Sequence, residues 1–171
     1  MIWFNKVGAG SALGGIEWGM SASPTALYAG VSDIGVPADK ARPGLNALDF
    51  KTGKVLWNAP APKVTCGFTG RCANGFSAPP ASAPGLVVAG TQDGHLRAFA
   101  AGDGKILWDF DTAGQKYATV NGVPNQPGGG IDGTGPVISG GNIYVMSGAS
   151  LAAGVGGIPV SVLLAFSVDG K

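Results

Sequence analysis

The feature that most constrains this chain is a unit that occurs twice, "ALDFKTGKVLW" at residues 47–57 and "AFAAGDGKILW" at residues 98–108. Both copies place an Ala, a Gly, a Lys and a Trp at the same positions. Apolar and polar residues alternate before the glycine, and β-branched or aromatic residues follow it. This pattern predicts two antiparallel strands joined by a tight turn in which glycine takes a positive φ. A third copy, "LLAFSVDGK" at 163–171, has a shorter turn.

Two more strands are predicted before each copy. Runs of aromatic or β-branched residues end near a glycine, and short segments rich in small residues precede them. The runs lie at 26–33, 86–93 and 142–148, and the short segments at 16–23, 76–83 and 133–140. Four short antiparallel strands per unit, repeated along the chain, are typical of β-propeller blades. The sequence therefore predicts an all-β fold made of propeller blades.

The composition supports an all-β fold and excludes several classes of function. The chain has 31 Gly and 12 Pro among 171 residues, which disfavours a mainly helical fold. Only 12% of the residues are charged and the formal net charge is +1, so no basic footprint for nucleic acid or an anionic membrane is present. No apolar stretch reaches the roughly 18 residues of a transmembrane segment. Residues 1–8 do not have the pattern of a signal peptide.

The strand pattern predicts about three blades. We expect a lone outer strand at 2–8, complete blades at about 16–62 and 76–112, and three strands of a last blade at about 133–168. Propellers close with about four to eight blades. We therefore expect a partial propeller, a fragment of a larger ring. In an alternative arrangement two chains meet, and strand 2–8 of one chain completes the last blade of the other.

The repeated tryptophans are predicted to be structural. Trp57 and Trp108 occupy the same position in the two copies, and Trp3 in "MIWFNKV" corresponds to them. A tryptophan side chain buries about 150–250 Å². At a fixed point of each blade, it would pack on the small Ala and Gly residues of the neighbouring blade. The repeated Trp would thereby set the distance between blades.

These motifs resemble a known family. "ALDFKTGKVLW" is similar to the repeat A-x-D-x-x-T-G-K-x-x-W of the quinoprotein, or PQQ-binding-like, β-propellers. "GGGIDGTGPVISGGNIYVMSG" and "VLLAFSVDGK" resemble the carboxyl-terminal part of polyvinyl-alcohol-dehydrogenase-like quinoproteins. The second unit departs from the repeat, with "AGDGK" in place of the T-G-K turn, and the haem-attachment motif C-x-x-C-H does not occur.

The resemblance implies an enzyme that oxidises alcohols with pyrroloquinoline quinone (PQQ) and Ca²⁺. It implies a small-molecule or polymeric alcohol as substrate. As partners it implies the missing blades or a cytochrome that accepts electrons, and as location the periplasm or the cell exterior. The alternative is a noncatalytic β-propeller scaffold for protein–protein interaction. "GGGIDGTGP" and the glycine-rich first strands favour the enzyme.

The chemistry of PQQ defines what its site needs. PQQ is a flat tricarboxylate with a reactive ortho-quinone, so it requires an aromatic or disulfide face, donors for its carboxylates, hard oxygen ligands for a divalent cation and a carboxylate base. The candidates lie just before or within first strands, nearest the propeller axis, with basic residues close by. For cofactor binding we expect Glu17, Trp18, Arg71, Asn74, Ser77 and Lys116. Glu17 or Asn74 would ligate Ca²⁺, and Asp132 would be the catalytic base.

Two cysteines lie close together between the first two predicted blades. Cys66 and Cys72 flank "GFTGR", whose two glycines allow the loop to fold back. An even number of cysteines, in a chain that resembles exported enzymes, favours a disulfide. A zinc site would need two more ligands, and the single histidine, His95, is far along the chain. We expect the disulfide to hold this loop above the axis, where it would border the cofactor.

Overall fold

The fold consists of antiparallel β-sheets. The computed structural model describes residues 1–11, 14–63, 73–148 and 162–169. Every element named within these ranges is a β-strand, which confirms the predicted all-β fold class. In the same ranges, no helix is long and apolar enough to cross a membrane.

Three sheets follow one another along the chain, and each orders its strands as they occur in the sequence. The first sheet contains β1 (Met20–Ala22), β2 (Ala26–Val31), β3 (Gly44–Asp49) and β4 (Val55–Pro60). The second contains β5 (Ala81–Ala83), β6 (Leu86–Gly90), β7 (His95–Ala100) and β8 (Ile106–Asp111). A small hairpin of β9 (Lys116–Tyr117) and β10 (Gln126–Pro127) follows it. The third sheet contains β11 (Val137–Ser139), β12 (Asn142–Ser147) and β13 (Val162–Ser167).

The repeated sequence unit forms the third and fourth strands of the first two sheets, as predicted. The turns place Gly53 and Gly104 at φ values of 70° and 73°, which glycine adopts without steric cost. In each turn the glycine N–H donates to the carbonyl four residues earlier, Gly53 to Asp49 and Gly104 to Ala100. The second turn therefore keeps the geometry of the first although it lacks the T-G-K sequence.

The first strand of each sheet is the innermost. β1 contacts β5, and β5 contacts β11, so the first strands of successive sheets lie side by side. The fourth strands, β4 and β8, lie at the opposite edges of their sheets. Sheets that radiate in this way from neighbouring first strands form a partial β-propeller.

The innermost strands are shorter than the sequence pattern suggested. β1 begins at Met20 and β5 at Ala81, each several residues after the start of its predicted segment. Gly19, just before β1, has a φ of 148°. Pro79 and Pro80, just before β5, have no N–H to donate to a ladder. The residues that enter each innermost strand therefore lie outside its ladder.

Hydrophobic contacts between facing sheets form two cores. The core between the first and second sheets includes Tyr28, Leu45, Trp57, Phe76, Val87 and Phe99. The core between the second and third sheets includes Val88, Leu96, Ile131 and Val145. Val87 and Val88 are neighbours on β6 and face opposite cores, as alternation along a strand requires. The second sheet is thus packed on both faces.

A tryptophan of the first sheet lies over a turn of the second. Trp57 Nε1 donates to the Ala101 carbonyl at 3.0 Å. The ring lies so close to Gly104 that a Cβ at that position would be 2.5 Å from Trp57 Cε3. Trp57 therefore occupies the space that the absent side chain of Gly104 leaves open.

The expected outer strand at 2–8 is not formed. In the described ranges, no strand pairs with this segment. Its side chains attach to the first sheet instead: Trp3 Nε1 donates to the Phe50 carbonyl at 3.1 Å, and Asn5 Nδ2 donates to the Gly53 carbonyl at 2.6 Å. The Trp3 ring lies over Gly53. A segment without a neighbouring strand has no backbone ladder to join, which accounts for the difference.

Candidate functional site

The entries into the three innermost strands share one backbone arrangement. In each sheet, a residue just after the second strand donates its N–H to a glycine carbonyl that precedes the first strand. These bonds join Ser32 N to Gly15 O (3.1 Å), Gln92 N to Gly75 O (3.1 Å) and Gly148 N to Gly130 O (3.0 Å). Two positions after each glycine stand Glu17, Ser77 and Asp132. These three residues, which we call the inner row, occupy the same position in successive sheets.

Hydrogen bonds between sheets hold the inner row in place. Phe76 N–H donates to the Val31 carbonyl at 3.2 Å, and Ile131 N–H donates to the Thr91 carbonyl at 3.0 Å. Gly90 accommodates the Ile131 side chain, because a Cβ at Gly90 would overlap it. The inner-row residue that follows Phe76 or Ile131 is therefore held against the preceding sheet.

Glu17 links the first two sheets. Its Oε1 accepts from Ser32 Oγ at 2.5 Å, and its Oε2 accepts from Ser77 Oγ at 2.8 Å. Ser32 and Ser77 are buried. Two hydroxyl donors, one from each sheet, fix the orientation of this carboxylate. Its oxygens are hard ligands of the kind that Ca²⁺ prefers.

Asp132 lies at the same position in the third sheet and is only 7% exposed. Gln92 Nε2, just after the second strand of the preceding sheet, donates to Asp132 Oδ1 at 3.5 Å. Gln92 is itself 3% exposed, and its Oε1 has no partner among the described residues. A buried amide oxygen without a donor favours a ligand or water that brings an O–H or N–H group.

The other predicted cofactor contacts are dispersed. Trp18 follows Glu17 in sequence and is 51% exposed, so about half of its surface is open to solvent. Asn74 Nδ2 donates to the Pro62 carbonyl at 2.6 Å, which ties that amide to the backbone. Lys116 lies on β9 and is exposed. Arg71 lies outside the described residues, as do Cys66 and Cys72.

The donor chemistry of the site suits PQQ and a hard cation. Three of the required groups are present: a half-exposed indole at Trp18, a carboxylate oriented by two hydroxyls at Glu17, and a second carboxylate at Asp132. Within the described ranges, no three His, Cys, Asp or Glu side chains cluster as a ready-made metal centre. A cation held by Glu17 would therefore depend on ligand or water oxygens as well.

Sequence reasoning missed Ser32 and Gln92. Both follow the second strand of their sheets, in "AGVSD" and "AGTQD", and both contact an inner-row carboxylate. The alignment of these two segments as parts of the repeat could have indicated that Ser32 and Gln92 occupy equivalent positions. The side-chain contact itself depends on the sheets lying next to each other, which the repeat alone does not specify.

Radial antiparallel sheets with repeated Trp–Gly contacts define the class of this chain, a partial β-propeller. Residues 5–155 match the PQQ_2 family model, described as outer membrane protein assembly factor BamB. The chain belongs to this family of PQQ-like repeat propellers.

Two curated relatives match the whole chain. It is 42% identical to a polyvinylalcohol dehydrogenase of Pseudomonas sp. over 177 residues, which cover 100% of the chain and 27% of the relative. It is 45% identical to a polyvinylalcohol dehydrogenase of Sphingopyxis sp. over 179 residues, which cover 99% of the chain and 27% of the relative. The chain thus spans about a quarter of the length of these relatives.

Solved structures show the same fold. A europium-containing methanol dehydrogenase matches with a TM-score of 0.58 at 20% identity, over 93% of this chain and 24% of that one. A quinohemoprotein alcohol dehydrogenase of Pseudomonas putida matches with a TM-score of 0.55 at 21% identity, over 86% of this chain and 18% of that one. At these identities, the likeness extends to the fold of the blades.

Proposed function

We propose that this chain is a segment of a PQQ-dependent alcohol dehydrogenase of the polyvinyl-alcohol-dehydrogenase type. The observation that carries the proposal is the inner row, which places the carboxylates of Glu17 and Asp132 at equivalent inner ends of the first and third sheets. Identity of 42% to a polyvinylalcohol dehydrogenase across the whole chain supports it.

Glu17 and Trp18 would hold the cofactor. Glu17 would offer Ca²⁺ two oxygens, already oriented by Ser32 and Ser77. The exposed face of Trp18 would stack on the flat ring system. Arg71 and Lys116 remain candidates for the cofactor carboxylates. When bound, PQQ supplies the acceptor for the hydride of the alcohol.

Asp132 would take the hydroxyl proton of the alcohol. Gln92 is its donor among the described residues, and the amide orients the carboxylate from one side. The alcohol O–H would donate to Asp132, and the proton would pass to that carboxylate as the hydride leaves the carbon. The low exposure of Asp132 keeps bulk water away from this transfer.

Substrate, partner and location follow from the same proposal. The two curated relatives are named for polyvinyl alcohol, so a polymeric secondary alcohol is the proposed substrate. A cytochrome would accept the electrons, and the remaining blades would complete the ring. The proposed location is the periplasm or the cell exterior.

A binding titration tests the proposal. Adding PQQ with Ca²⁺ should quench tryptophan fluorescence, because Trp18 would stack on the cofactor, and should raise the melting temperature. Glu17→Gln should weaken Ca²⁺-dependent binding about tenfold, since it removes a ligand charge. Asp103→Asn, in the exposed β7–β8 turn, is the matched control and should bind as the original chain does. Folded protein that shows no binding in either assay would favour the scaffold alternative.

A further inference from the structure

The second sheet contains a charged network around a buried arginine. Arg97 on β7 is 2% exposed, and its Nε donates to Asp109 Oδ2 on β8 at 2.9 Å. Arg97 Nη1 donates to Thr91 Oγ1 at 2.9 Å. Asp109 Oδ1 lies 2.6 Å from His95 Nδ1, and the Thr91 hydroxyl lies 2.5 Å from Asp93 Oδ1. We call these five residues the Arg97 network.

The first sheet has neutral side chains at the positions of Arg97 and Asp109. Asn46 and Asn58 face each other at the register positions of Arg97 and Asp109, and Asn58 Nδ2 donates to Asn46 Oδ1 at 2.9 Å. The position of the buried threonine is taken by Val31. Burying the Arg97 guanidinium costs free energy that a neutral side chain avoids, and the Asp109 carboxylate that pairs with it is 36% exposed. Because the first sheet forms without such a network, folding of a sheet does not explain it.

The network adjoins the segment that carries Asp132. The carbonyl of Thr91 accepts from Ile131 N–H at 3.0 Å. The residues on either side contact the same segment: Gly90 makes room for the Ile131 side chain, and Gln92 donates to Asp132. Three consecutive residues at the end of β6 therefore hold Ile131 and Asp132. The Arg97 network fixes the middle one by its side chain.

We propose that Arg97 is a positioning residue for Asp132. By binding the Thr91 hydroxyl, Arg97 fixes the orientation of the peptide that holds Ile131 and of the adjoining Gln92 amide that contacts Asp132. The inference rests on the proposed function, in which Asp132 is the base. The proposal also explains why the first sheet has no such network. The residue held against the first sheet is Ser77, at the position equivalent to Asp132, and a serine there is not a base.

The test moves the residues of the first sheet into the second. Thr91→Val, Arg97→Asn and Asp109→Asn together reproduce the set that the first sheet uses. In the unliganded chain, the triple variant should exchange the Ile131 amide at least about tenfold faster and should shift the carboxyl ¹³C resonance of Asp132. Amide exchange in the core at Val145 should stay unchanged. Val31→Thr, the reverse change in the first sheet, is the control and should leave both signals unaltered.

A pair of single variants keeps the proposal testable if the triple variant does not fold. Thr91→Ser retains the hydroxyl that Arg97 binds, so Ile131 exchange and the Asp132 resonance should stay near those of the original chain. Thr91→Val removes the hydroxyl and should alter both. Folded variants in which neither signal changes, or in which Ser and Val have equal effects, would overturn the proposal.

The two proposals fail separately. Both signals are measured without PQQ or an alcohol, so an absence of cofactor binding would overturn the proposed function and leave the exchange result standing. Conversely, PQQ binding with unchanged Ile131 exchange in the triple variant would overturn only the role of Arg97.

Discussion

Trp57 in the first sheet and Gly104 in the second meet face to face, with the indole ring in the place of a glycine side chain. The indole N–H reaches the Ala101 carbonyl of the same turn at 3.0 Å. The packing of a large ring on a glycine turn, together with one hydrogen bond, fixes both the distance and the orientation of neighbouring sheets. Trp3 makes the same two contacts with the turn at Phe50 and Gly53.

Gly104→Ala should destabilise the fold. The new Cβ would lie 2.5 Å from Trp57 Cε3, and the φ of 73° is unfavourable for alanine. We expect a loss of about 1–3 kcal/mol in the free energy of unfolding, measured by urea denaturation. Gly102→Ala, two residues earlier, is the control because nothing lies within 4 Å of its Cβ. Equal losses in the two variants would contradict the packing role of Trp57.

Trp108→Ala should cost more stability than Lys105→Ala. Trp108 stacks on Phe110 with ring centroids 5.7 Å apart and meets Phe166 edge-on at 5.2 Å, so truncation would open a cavity between the second and third sheets. We expect about 2–3 kcal/mol for the tryptophan and less than about 0.5 kcal/mol for the exposed lysine. Denaturant melts of both variants would measure these losses. Similar midpoints for the two variants would argue against packing of Trp108 between the sheets.

Asp33 should make the stability pH-dependent in acid. Burial raises the pKa of Asp33, but hydrogen bonds from the N–H groups of Ala9, Arg42 and Gly10, and the charge of Lys6, outweigh burial and hold the pKa below its ordinary value. The stabilisation is therefore complete above the unfolded pKa of about 3.9 and is lost as pH falls through the lower folded pKa.

Asp33→Asn isolates this contribution. Asparagine tolerates the positive φ of 48° at this position, so the backbone should be retained. We expect a loss of about 1–2 kcal/mol at pH 7, since the hydrogen bonds to a charged acceptor weaken, and a shrinking difference as pH falls below about 4. Asp39→Asn, at an exposed position in the same loop, should have no such effect. Urea midpoints of the original chain and of Asp33→Asn would be measured between pH 2 and 7. A constant difference between the two over this range would exclude Asp33 as the cause of the acid dependence.

Cys66 and Cys72 remain predicted to form a disulfide. If they do, closing so small a loop should stabilise the chain by about 2–3 kcal/mol at most. Mass spectrometry of non-reduced protein made in an oxidising compartment should find a mass two hydrogens below that of the reduced chain. Detection of two free thiols would contradict the predicted disulfide.

The repeat predicted the sheets well because hairpins are local. The glycine turns and the strands on either side of them follow from a few neighbouring residues, and Gly53 and Gly104 take the positive φ that the pattern required. Residues 2–8 carry similar strand-forming residues, but a strand also needs a neighbour, and that information is not local. The blade boundaries themselves remain predictions.

The site was less predictable because its contacts cross between sheets. Glu17, Ser77 and Asp132 were identified by their place before the first strands, yet the Glu17–Ser77 contact depends on the packing of two sheets. The sequence did not predict the Arg97 network for another reason. Asn46 and Arg97 occupy the same repeat position, and alignment shows that they differ without showing what the difference does.

Asp132 has a simpler possible role than catalysis, because an Asp beside glycine often caps a turn by accepting backbone N–H groups. Asp49 and Asp111 cap turns in this way, and each accepts backbone N–H groups from the residues two and three positions later. Among the described residues, the donor to Asp132 is instead the side chain of Gln92. Asp132 therefore lacks the backbone hydrogen bonds that define a turn cap at Asp49 and Asp111.

Substituting asparagine for Asp132 separates the two roles in an active enzyme. This chain would replace the matching quarter of the Pseudomonas polyvinylalcohol dehydrogenase, to which it is 42% identical. Asp132→Asn keeps the shape of the side chain but removes the base, so it should spare folding and PQQ binding while lowering alcohol oxidation about a hundredfold or more. Asp111→Asn, at a turn-capping aspartate, is the control and should retain turnover. An Asp132→Asn enzyme that binds PQQ and turns over normally would exclude Asp132 as the base, whereas loss of folding would assign it a structural role.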